Sequence, residues 1–409
     1  MYFEVFLGMR YLKAKRKQAF ISIITLISVV GVMVGVMSLI VVLSVMNGFR
    51  ADLMSKILGV NAHILVRTYG SSFNNYEKIL MDINTVGGVI ATTPFVYSQV
   101  MVNSSGITSG AVLRGLDTAS AGKVIDIEPM ITQGSLSSLD DTKDGLPSII
   151  IGSELAKQIG VMPGDVLSVI SPQGRLTPLG RSPNSRKYTV AALFNSGMYE
   201  YDLSMTFVSL KEAQDFLGME EDSVTGIEVK VADAYQSDRI GKSIAKILEY
   251  PYWVQDWKAR NRSLLSALKL EKITMFIILT MIVLVGALNI ISALVMVVME
   301  KTRDVAILRA MGATKKSIMN IFMLQGLLVG IVGTLAGLVS GLFICHLLSK
   351  YKFIELPSDV YYISTLPVRV EILDVVLVTL AAIVISFLAT IYPSWHASRL
   401  NPVEALRYE

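Results

Sequence analysis

The side chains that most often carry out chemistry in proteins are few and scattered in this chain. Its 409 residues include three histidines, His63, His346 and His396, and a single cysteine, Cys345. Zinc sites and Ser-His-Asp triads need several such groups close together, and no spacing here groups them. The sequence therefore predicts no catalytic residue and no metal site.

Two short segments start like ligand sites without completing one. Gly312-Ala-Thr-Lys-Lys-Ser317 has the lysines of a phosphate-binding loop but lacks its spaced glycine and its preceding strand. Asp140-Asp-Thr-Lys-Asp-Gly145 lacks the acidic residue that closes a calcium loop, so an exposed acidic turn is expected. We therefore expect that this chain hydrolyses no ATP and binds no cofactor.

The residues best suited to bind a partner lie in one long connection, residues 171–187. It has three prolines, no acidic residue and four basic residues: Arg175, Arg181, Arg186 and Lys187. Prolines stiffen the backbone, and guanidinium groups bind carboxylates through paired hydrogen bonds. The composition fits a docking arm for an acidic partner, and a solvated loop fits the spacing equally well.

The elements that must position these residues are mainly membrane helices. Hydrophobic residues make up 52% of the chain and charged residues only 17%, which is too apolar for an ordinary soluble domain. Four charge-free runs can each cross a hydrocarbon layer of about 30 Å: residues 20–46, 273–299, 317–349 and 375–398. The net charge of +4 is too small to indicate nucleic acid binding.

Basic residues in short flanks predict the orientation of these helices. They precede the first run and separate the second from the third: Arg10, Lys13, Lys15, Arg16 and Lys17, then Lys301, Arg303, Arg309, Lys315 and Lys316. We expect both flanks and both termini in the cytoplasm, and the large domain outside it.

Small residues recur at helical spacing within the runs, and Asp, Glu, Lys and Arg are missing from them. Ion-coupled transporters usually need such ionisable groups, so that class is disfavoured. The small residues are glycines: Gly31, Gly35, Gly326, Gly330, Gly333, Gly337 and Gly341. We interpret them as sites of close helix packing.

The remaining residues, 47–272, have the alternating patterns of strands and helices. The predicted fold is an α-helical membrane protein with four transmembrane helices and a large α+β periplasmic domain inserted between the first and second. We expect two modules in that domain, roughly 47–124 plus 218–272, and 125–217. The other predicted segments are a cytoplasmic segment (1–19, an interfacial helix or a disordered end), a cytoplasmic helix (300–316), a periplasmic loop (350–374) and a cytoplasmic tail (399–409).

The segment Glu300-Lys-Thr-Arg-Asp-Val-Ala-Ile-Leu-Arg-Ala-Met-Gly312 is predicted to form a short helix parallel to the membrane. Val305, Leu308 and Met311 would lie along one face, with Arg303 pointing elsewhere. Gly312 can end this helix, after which the next begins. It could serve as a surface anchor or as a lever moved by a cytoplasmic partner.

Four segments together resemble the LolC/LolE family, the permease subunits of the lipoprotein-releasing ABC transporter, within the group that includes MacB and FtsX. They are Met46-Asn-Gly-Phe49, the segment 300–312, Tyr392-Pro-Ser-Trp395 and the ending 401–409. The resemblance implies an inner-membrane complex of two permeases, either this chain with a LolE-like partner or two copies of it. It also implies two LolD-like ATPases, which bind ATP and Mg²⁺, and transfer of lipoproteins from membrane lipid to a LolA-like periplasmic chaperone.

The resemblance also implies roles for particular residues. The chaperone-docking hook would contain Arg175, Leu176, Thr177, Pro178, Leu179, Gly180, Arg181 and Pro183. The ATPase-coupling helix would contain Arg303, Asp304, Val305, Leu308, Arg309, Met311 and Gly312. Lipoprotein chains would contact Met46, Phe49, Val360, Tyr361 and Tyr362, although an interfacial aromatic belt is a comparable reading of the tyrosines.

Two related functions are the alternatives. A MacB-like exporter would carry its ATPase domain on the same chain, and none is found here. An FtsX-like signal transmitter would activate a periplasmic hydrolase, with a smaller external domain and no basic, proline-rich hook.

Overall fold

The structure, a computed structural model, describes residues 19–143, 145–177, 180–351 and 366–399. They form two compact units, one from the described residues of 19–51, 267–351 and 366–399, the other from those of 52–266. The predicted N-terminal interfacial helix and the tail beyond Arg399 lie outside the described residues.

The helices of the described residues are numbered here in chain order. They are α1 (Ala19–Val60), α2 (Tyr76–Asn84), α3 (Thr118–Val124), α4 (Ser153–Ile159), α5 (Tyr199–Ser204), α6 (Leu210–Leu217), α7 (Ser237–Leu248), α8 (Trp257–Arg260), α9 (Arg262–Glu300), α10 (Thr302–Ala310), α11 (Lys315–Tyr351) and α12 (Ile372–Ser398). Four of them, α1, α9, α11 and α12, are long and apolar enough to cross a membrane, and each contains one predicted run.

The glycines of α11 allow its backbone to approach two neighbouring helices. A Cβ atom at Gly330 would lie 2.5 Å from Cβ of Ser386 in α12, and one at Gly337 would lie 2.6 Å from the carbonyl oxygen of Met33 in α1. Any larger side chain would have to displace these atoms. The interpretation of the glycine spacing as close helix packing is confirmed for α11, whereas a Cβ atom at Gly35 of α1 would make only an ordinary contact, 3.9 Å from Ile282.

The second unit is built on one sheet. Its strands are β1 (Ile64–Thr68), β2 (Val89–Ser104), β3 (Ile107–Leu116), β4 (Ile131–Gln133), β5 (Thr142–Lys143), β6 (Leu146–Gly152), β7 (Val166–Thr177), β8 (Gly180–Phe194), β9 (Met205–Ser209), β10 (Gly226–Val231) and β11 (Tyr252–Asp256). The main order is β11-β1-β10-β2-β3-β9-β6-β8-β4, with β5 pairing to β6, and β7 to β2 and β8. The predicted α+β class is confirmed.

The strands predicted for two modules occupy the two halves of this sheet, but they share a core. One buried cluster contains Val96 and Leu113 from the first set of strands and Ile151 and Tyr188 from the second.

Alternate residues of a strand point to opposite faces, and Ile64 and Val66 of β1 pack with α2 and α7 on one face. The residues between them, Leu65 and Arg67, therefore point to the opposite face.

Two local features were not predicted from the sequence. Asn261 separates α8 from α9, so residues 257–300 do not form one continuous helix. The strand β11 was not predicted, and it forms an edge of the sheet by pairing with β1.

Candidate functional site

The predicted hook is a β-hairpin and not the loop that the prolines suggested. Strands β7 and β8 stay paired to Thr177 and Gly180, which are direct partners, while Pro178 and Leu179 lie outside the described residues. The register shifts between Ser171 and Arg175. Proline lacks the N–H group that a ladder needs, so Pro172 and the facing Pro183 explain an irregular ladder in this part of the arm.

The hairpin of β7 and β8, called the arm below, contains the other residues of the predicted hook at its outer end. Arg175 pairs with Ser182, and Leu176 pairs with Arg181, so the two arginines lie on neighbouring strands near the turn. The backbone thus brings the predicted hook residues together at one tip, apart from the two that are not described.

The base of the hairpin is fixed to α6 by a polar cluster that sequence reasoning missed. Arg186 donates to Glu212 at 2.7 Å and pairs with Asp215 at 2.8 Å. Tyr188, which is fully buried, donates its hydroxyl to the same Oε1 of Glu212 at 2.8 Å. Asn184 donates to the Phe216 carbonyl at 2.6 Å. Arg186 is therefore a positioning residue of the arm.

Burial and neighbouring charge govern the pKa values in this cluster. Burial acts to lower the pKa of Arg186, but hydrogen bonds to Glu212 and Asp215 outweigh it and leave that pKa raised. Burial, with the negative charge of Glu212, raises the pKa of Tyr188. Both groups therefore keep their protons at neutral pH, as their hydrogen bonds require.

The segment predicted to couple to an ATPase forms α10, between two membrane-spanning helices. Val305 is buried with residues of α9, α11 and α12, in a cluster that includes Val298, Phe322 and Ala397, and Leu308 packs against this cluster. Lys301, just before the helix, forms an ion pair at 3.2 Å with Asp304 in the first turn.

The outward face of α10 differs from the predicted one. Met311 is 79% exposed, so it does not share the buried face of Val305 and Leu308. The reason is that the helix ends at Ala310 and Gly312 has a left-handed φ of +99°, which turns the chain away. Arg303, Ile307 and Ala310 are exposed at spacings of four and three residues, and Met311, just beyond the end of the helix, is exposed as well. Arg309 is half-buried.

Met46 and Phe49 are both half-buried at one end of the apolar run of α1. Met46 lines a narrow pocket with apolar residues of α1 and α9, to which charged groups also contribute: Leu43, Leu268, Met275, Arg50, Glu271 and Lys272. Phe49 is not among its lining residues. Val360, Tyr361 and Tyr362 lie outside the described residues.

The residues between Met46 and Phe49 contact the first turn of α12 and the chain that precedes it. Asn47 donates to the carboxylate of Asp374 at 2.6 Å. A Cβ atom at Gly48 would lie 2.3 Å from the carbonyl oxygen of Pro367, so only glycine fits there. The backbone N–H of Arg369 also donates to the Ser44 carbonyl, at 2.9 Å.

Among the described residues, no three His, Cys, Asp or Glu side chains are grouped so that they could hold a metal ion.

Comparison with known proteins gives matches along the whole chain. Residues 25–247 match the model of the MacB-like periplasmic core domain, and residues 276–402 match that of the FtsX-like permease C-terminal region. The lipoprotein-releasing system transmembrane protein LolC of Xylella fastidiosa is 38% identical, covering 99% of both chains. The LolE protein of Haemophilus influenzae is 28% identical over 98% of both. The periplasmic region of MacB from Actinobacillus actinomycetemcomitans is 13% identical, with a TM-score of 0.33, covering 52% of this chain and 97% of its own.

Proposed function

The chain belongs to the LolC/LolE family of lipoprotein-releasing transmembrane proteins, and on that premise we propose that it is the permease subunit of an ATP-driven complex in the inner membrane. It takes lipoproteins from the outer leaflet and passes them to a LolA-like periplasmic chaperone. The large domain is periplasmic, and both termini are cytoplasmic. The chain itself is not catalytic, because two LolD-like subunits bind ATP and Mg²⁺ and hydrolyse the nucleotide.

The observation that carries this proposal is the anchored hairpin of β7 and β8. Its base is held by Arg186, Tyr188 and Asn184, which fixes the place from which the two paired strands extend. An arm that is fixed at its base loses less conformational entropy on binding than a free loop. Its arginines, Arg175 and Arg181, suit carboxylates on a chaperone.

The thermodynamics of release explains why a docking arm is useful. Each buried methylene contributes about 0.8 kcal/mol, so acyl chains leaving the bilayer must pass directly to another apolar site. Met46, with Leu43 and Met275 nearby, offers such chains apolar contacts next to the charged groups at this end of α1 and α9.

Movement of the ATPase subunits is transmitted to the membrane-spanning helices through α10. Its exposed side chains, Arg303 and Ile307, contact the ATPase, while Val305 on the opposite side is packed with three membrane-spanning helices. A displacement of α10 therefore shifts α9, α11 and α12 together. The second permease of the complex is a LolE-like chain or another copy of this one.

A pull-down from membranes tests the proposal. The tagged chain should retain a LolA-like chaperone and a small ATPase, whereas a variant with Arg175→Ser, Pro178→Ser and Arg181→Ser should retain only the ATPase. The matched control, Lys242→Ser with Lys246→Ser, removes two exposed basic groups from α7 and should retain both partners. Recovery of a periplasmic hydrolase or an outer-membrane duct, in place of the chaperone, would contradict the proposal.

A further inference from the structure

An unassigned cavity of about 500 Å³ lies within the second unit, on the sheet face opposite α2 and α7. Strands β1, β10, β2, β3, β9 and β11 supply most of its walls, and Tyr201 of α5 and Arg260 of α8 complete it. This volume is within the range of small-ligand pockets. Three arginines line this half-open cavity: Arg67, Arg114 and Arg260.

Two of these arginines keep buried donors that nothing satisfies in the described residues. Arg114 is 3% exposed and forms an ion pair with the buried Glu228, yet its Nε atom has no hydrogen-bond partner. Arg67 lies over the rings of Phe95 and Tyr97, at 5.4 and 5.7 Å from their centroids, and its buried Nε is also without a partner.

The third arginine is close to the other two. Arg260 donates to the carbonyl of Ala62 at 3.3 Å. Burial lowers its pKa, and the positive charges of Arg114 and Arg67 act in the same direction. Three guanidinium groups thus share a partly desolvated space in which Glu228 is the one buried carboxylate among the described lining residues, since Glu200 is exposed.

Buried charge without a counter-charge is costly, and an anion in the cavity would relieve that cost. The remaining lining distinguishes between kinds of anion. Three side-chain amides line it. The Nδ2 groups of Asn61 and Asn261 already donate within the chain, so their amide oxygens, together with the amide of Gln255, can pair with a peptide backbone. The cavity is too small for the two acyl chains of a phospholipid. Tyr97 of β2 lines the cavity, and Met101 lies on the same face of the strand beyond it; they are 40% and 43% exposed and offer a path for an extended chain.

We propose that this cavity binds a carboxylate carried by an extended peptide segment, held by Arg67, Arg114 and Arg260. The source of that segment rests on the proposed function: in a lipoprotein-releasing permease it is the cargo polypeptide that follows the lipid. The site itself is defined by the cavity and does not depend on that role.

Binding to the purified full chain in nanodiscs tests the site without any transport step. The probe is an N-acetylated, C-amidated hexapeptide with one central aspartate, measured by calorimetry against the same peptide with asparagine. The aspartate peptide should bind about tenfold more tightly, because charge-assisted hydrogen bonds are lost in the other. Arg67→Gln and Arg260→Gln should each abolish that preference, whereas Lys242→Gln on α7 should keep it.

A substitution that is expected to tighten peptide binding distinguishes a direct role in the binding site from a general structural defect. Glu228→Gln removes the resident carboxylate, frees Arg114 and should tighten binding of the aspartate peptide about tenfold. If Glu228→Gln does not fold, the binding measured for Arg67→Gln and Arg260→Gln decides whether the proposal stands. Equal binding of both peptides, or of glycerol phosphate but not the aspartate peptide, would overturn the assignment. The chaperone pull-down uses neither this probe nor this cavity, so the two proposals fail separately.

Discussion

Asn47 of α1 donates a 2.6 Å hydrogen bond to Asp374 in the first turn of α12, joining two helices that are far apart in the sequence. This contact and a steric one explain the two middle residues of Met46-Asn-Gly-Phe49. Asn47 binds the start of α12, and Gly48 allows the close approach of Pro367. The motif thus has a structural role next to the proposed lipid contact of Met46.

This contact can be measured by a double-mutant cycle. Asn47→Ala and Asp374→Ala should each lower the free energy of unfolding, with a coupling energy of about 1 kcal/mol, because each removes the same hydrogen bond. Thermal or denaturant unfolding of the full chain in detergent measures this. Additive effects of the two substitutions would contradict it.

The glycine contacts of α11 predict a strong dependence on side-chain size. Gly330→Ala places a Cβ against Ser386, and the free energy of unfolding should fall by about 1–3 kcal/mol. Gly286→Ala in α9 is the matched control, because its nearest neighbour, the Gly31 carbonyl oxygen, would be 4.0 Å from the new Cβ atom. Equal stability of the two variants would contradict the packing account.

The exposed and buried sides of α10 should respond differently to substitution. Ile307→Asp changes a side chain that is 45% exposed, so it should abolish ATP-driven lipoprotein release at a normal level of folded protein. Val305→Ala should instead lower the free energy of unfolding by about 1–3 kcal/mol, since it removes buried methyl groups. Release in proteoliposomes and unfolding of the same preparations measure the two effects.

Ile307→Leu is the control for that pair, and it should release lipoprotein normally. If Ile307→Asp also releases normally, α10 does not contact the ATPase through this face.

The buried hydroxyl of Tyr188 predicts a pH dependence. The pKa of Tyr188 is raised in the folded chain above the ordinary value of 10.0. The contribution of the protonated hydroxyl to the free energy of unfolding is therefore fully present below pH 10 and is lost as pH rises beyond it. The difference in unfolding free energy between the parent and Tyr188→Phe should therefore shrink above pH 10. A difference that stays constant with pH would show that the hydroxyl is not held as described.

Much of the membrane unit could be predicted from the sequence. A charge-free run is a sufficient signal for a spanning helix, so all four helices contain the predicted runs. The glycine spacing also identified the packing face of α11, because the residues that share a face follow from the helical period alone. The partners of those glycines, such as Ser386, could not be read from the pattern, since they depend on tertiary contacts.

The hairpin arm and α10 show where local patterns fail. Prolines at positions 172, 178 and 183 made residues 171–187 look like a loop, although strand pairing resumes between them. Helical periodicity assigned Met311 to the buried face, but the helix ends one residue earlier. The arginine cavity gave no sequence signal, because Arg67, Arg114 and Arg260 are far apart in the chain and meet only when the sheet forms.

The most direct test of the central claim is transfer of a lipoprotein from proteoliposomes that contain this chain with its co-purified ATPase. On addition of ATP, the lipoprotein should move to a LolA-like chaperone in the soluble fraction. The Arg175→Ser, Pro178→Ser and Arg181→Ser variant should hydrolyse ATP but lose the transfer, while Lys242→Ser with Lys246→Ser should retain both. Lipoprotein that stays in the membrane while the unmodified complex hydrolyses ATP would contradict the account.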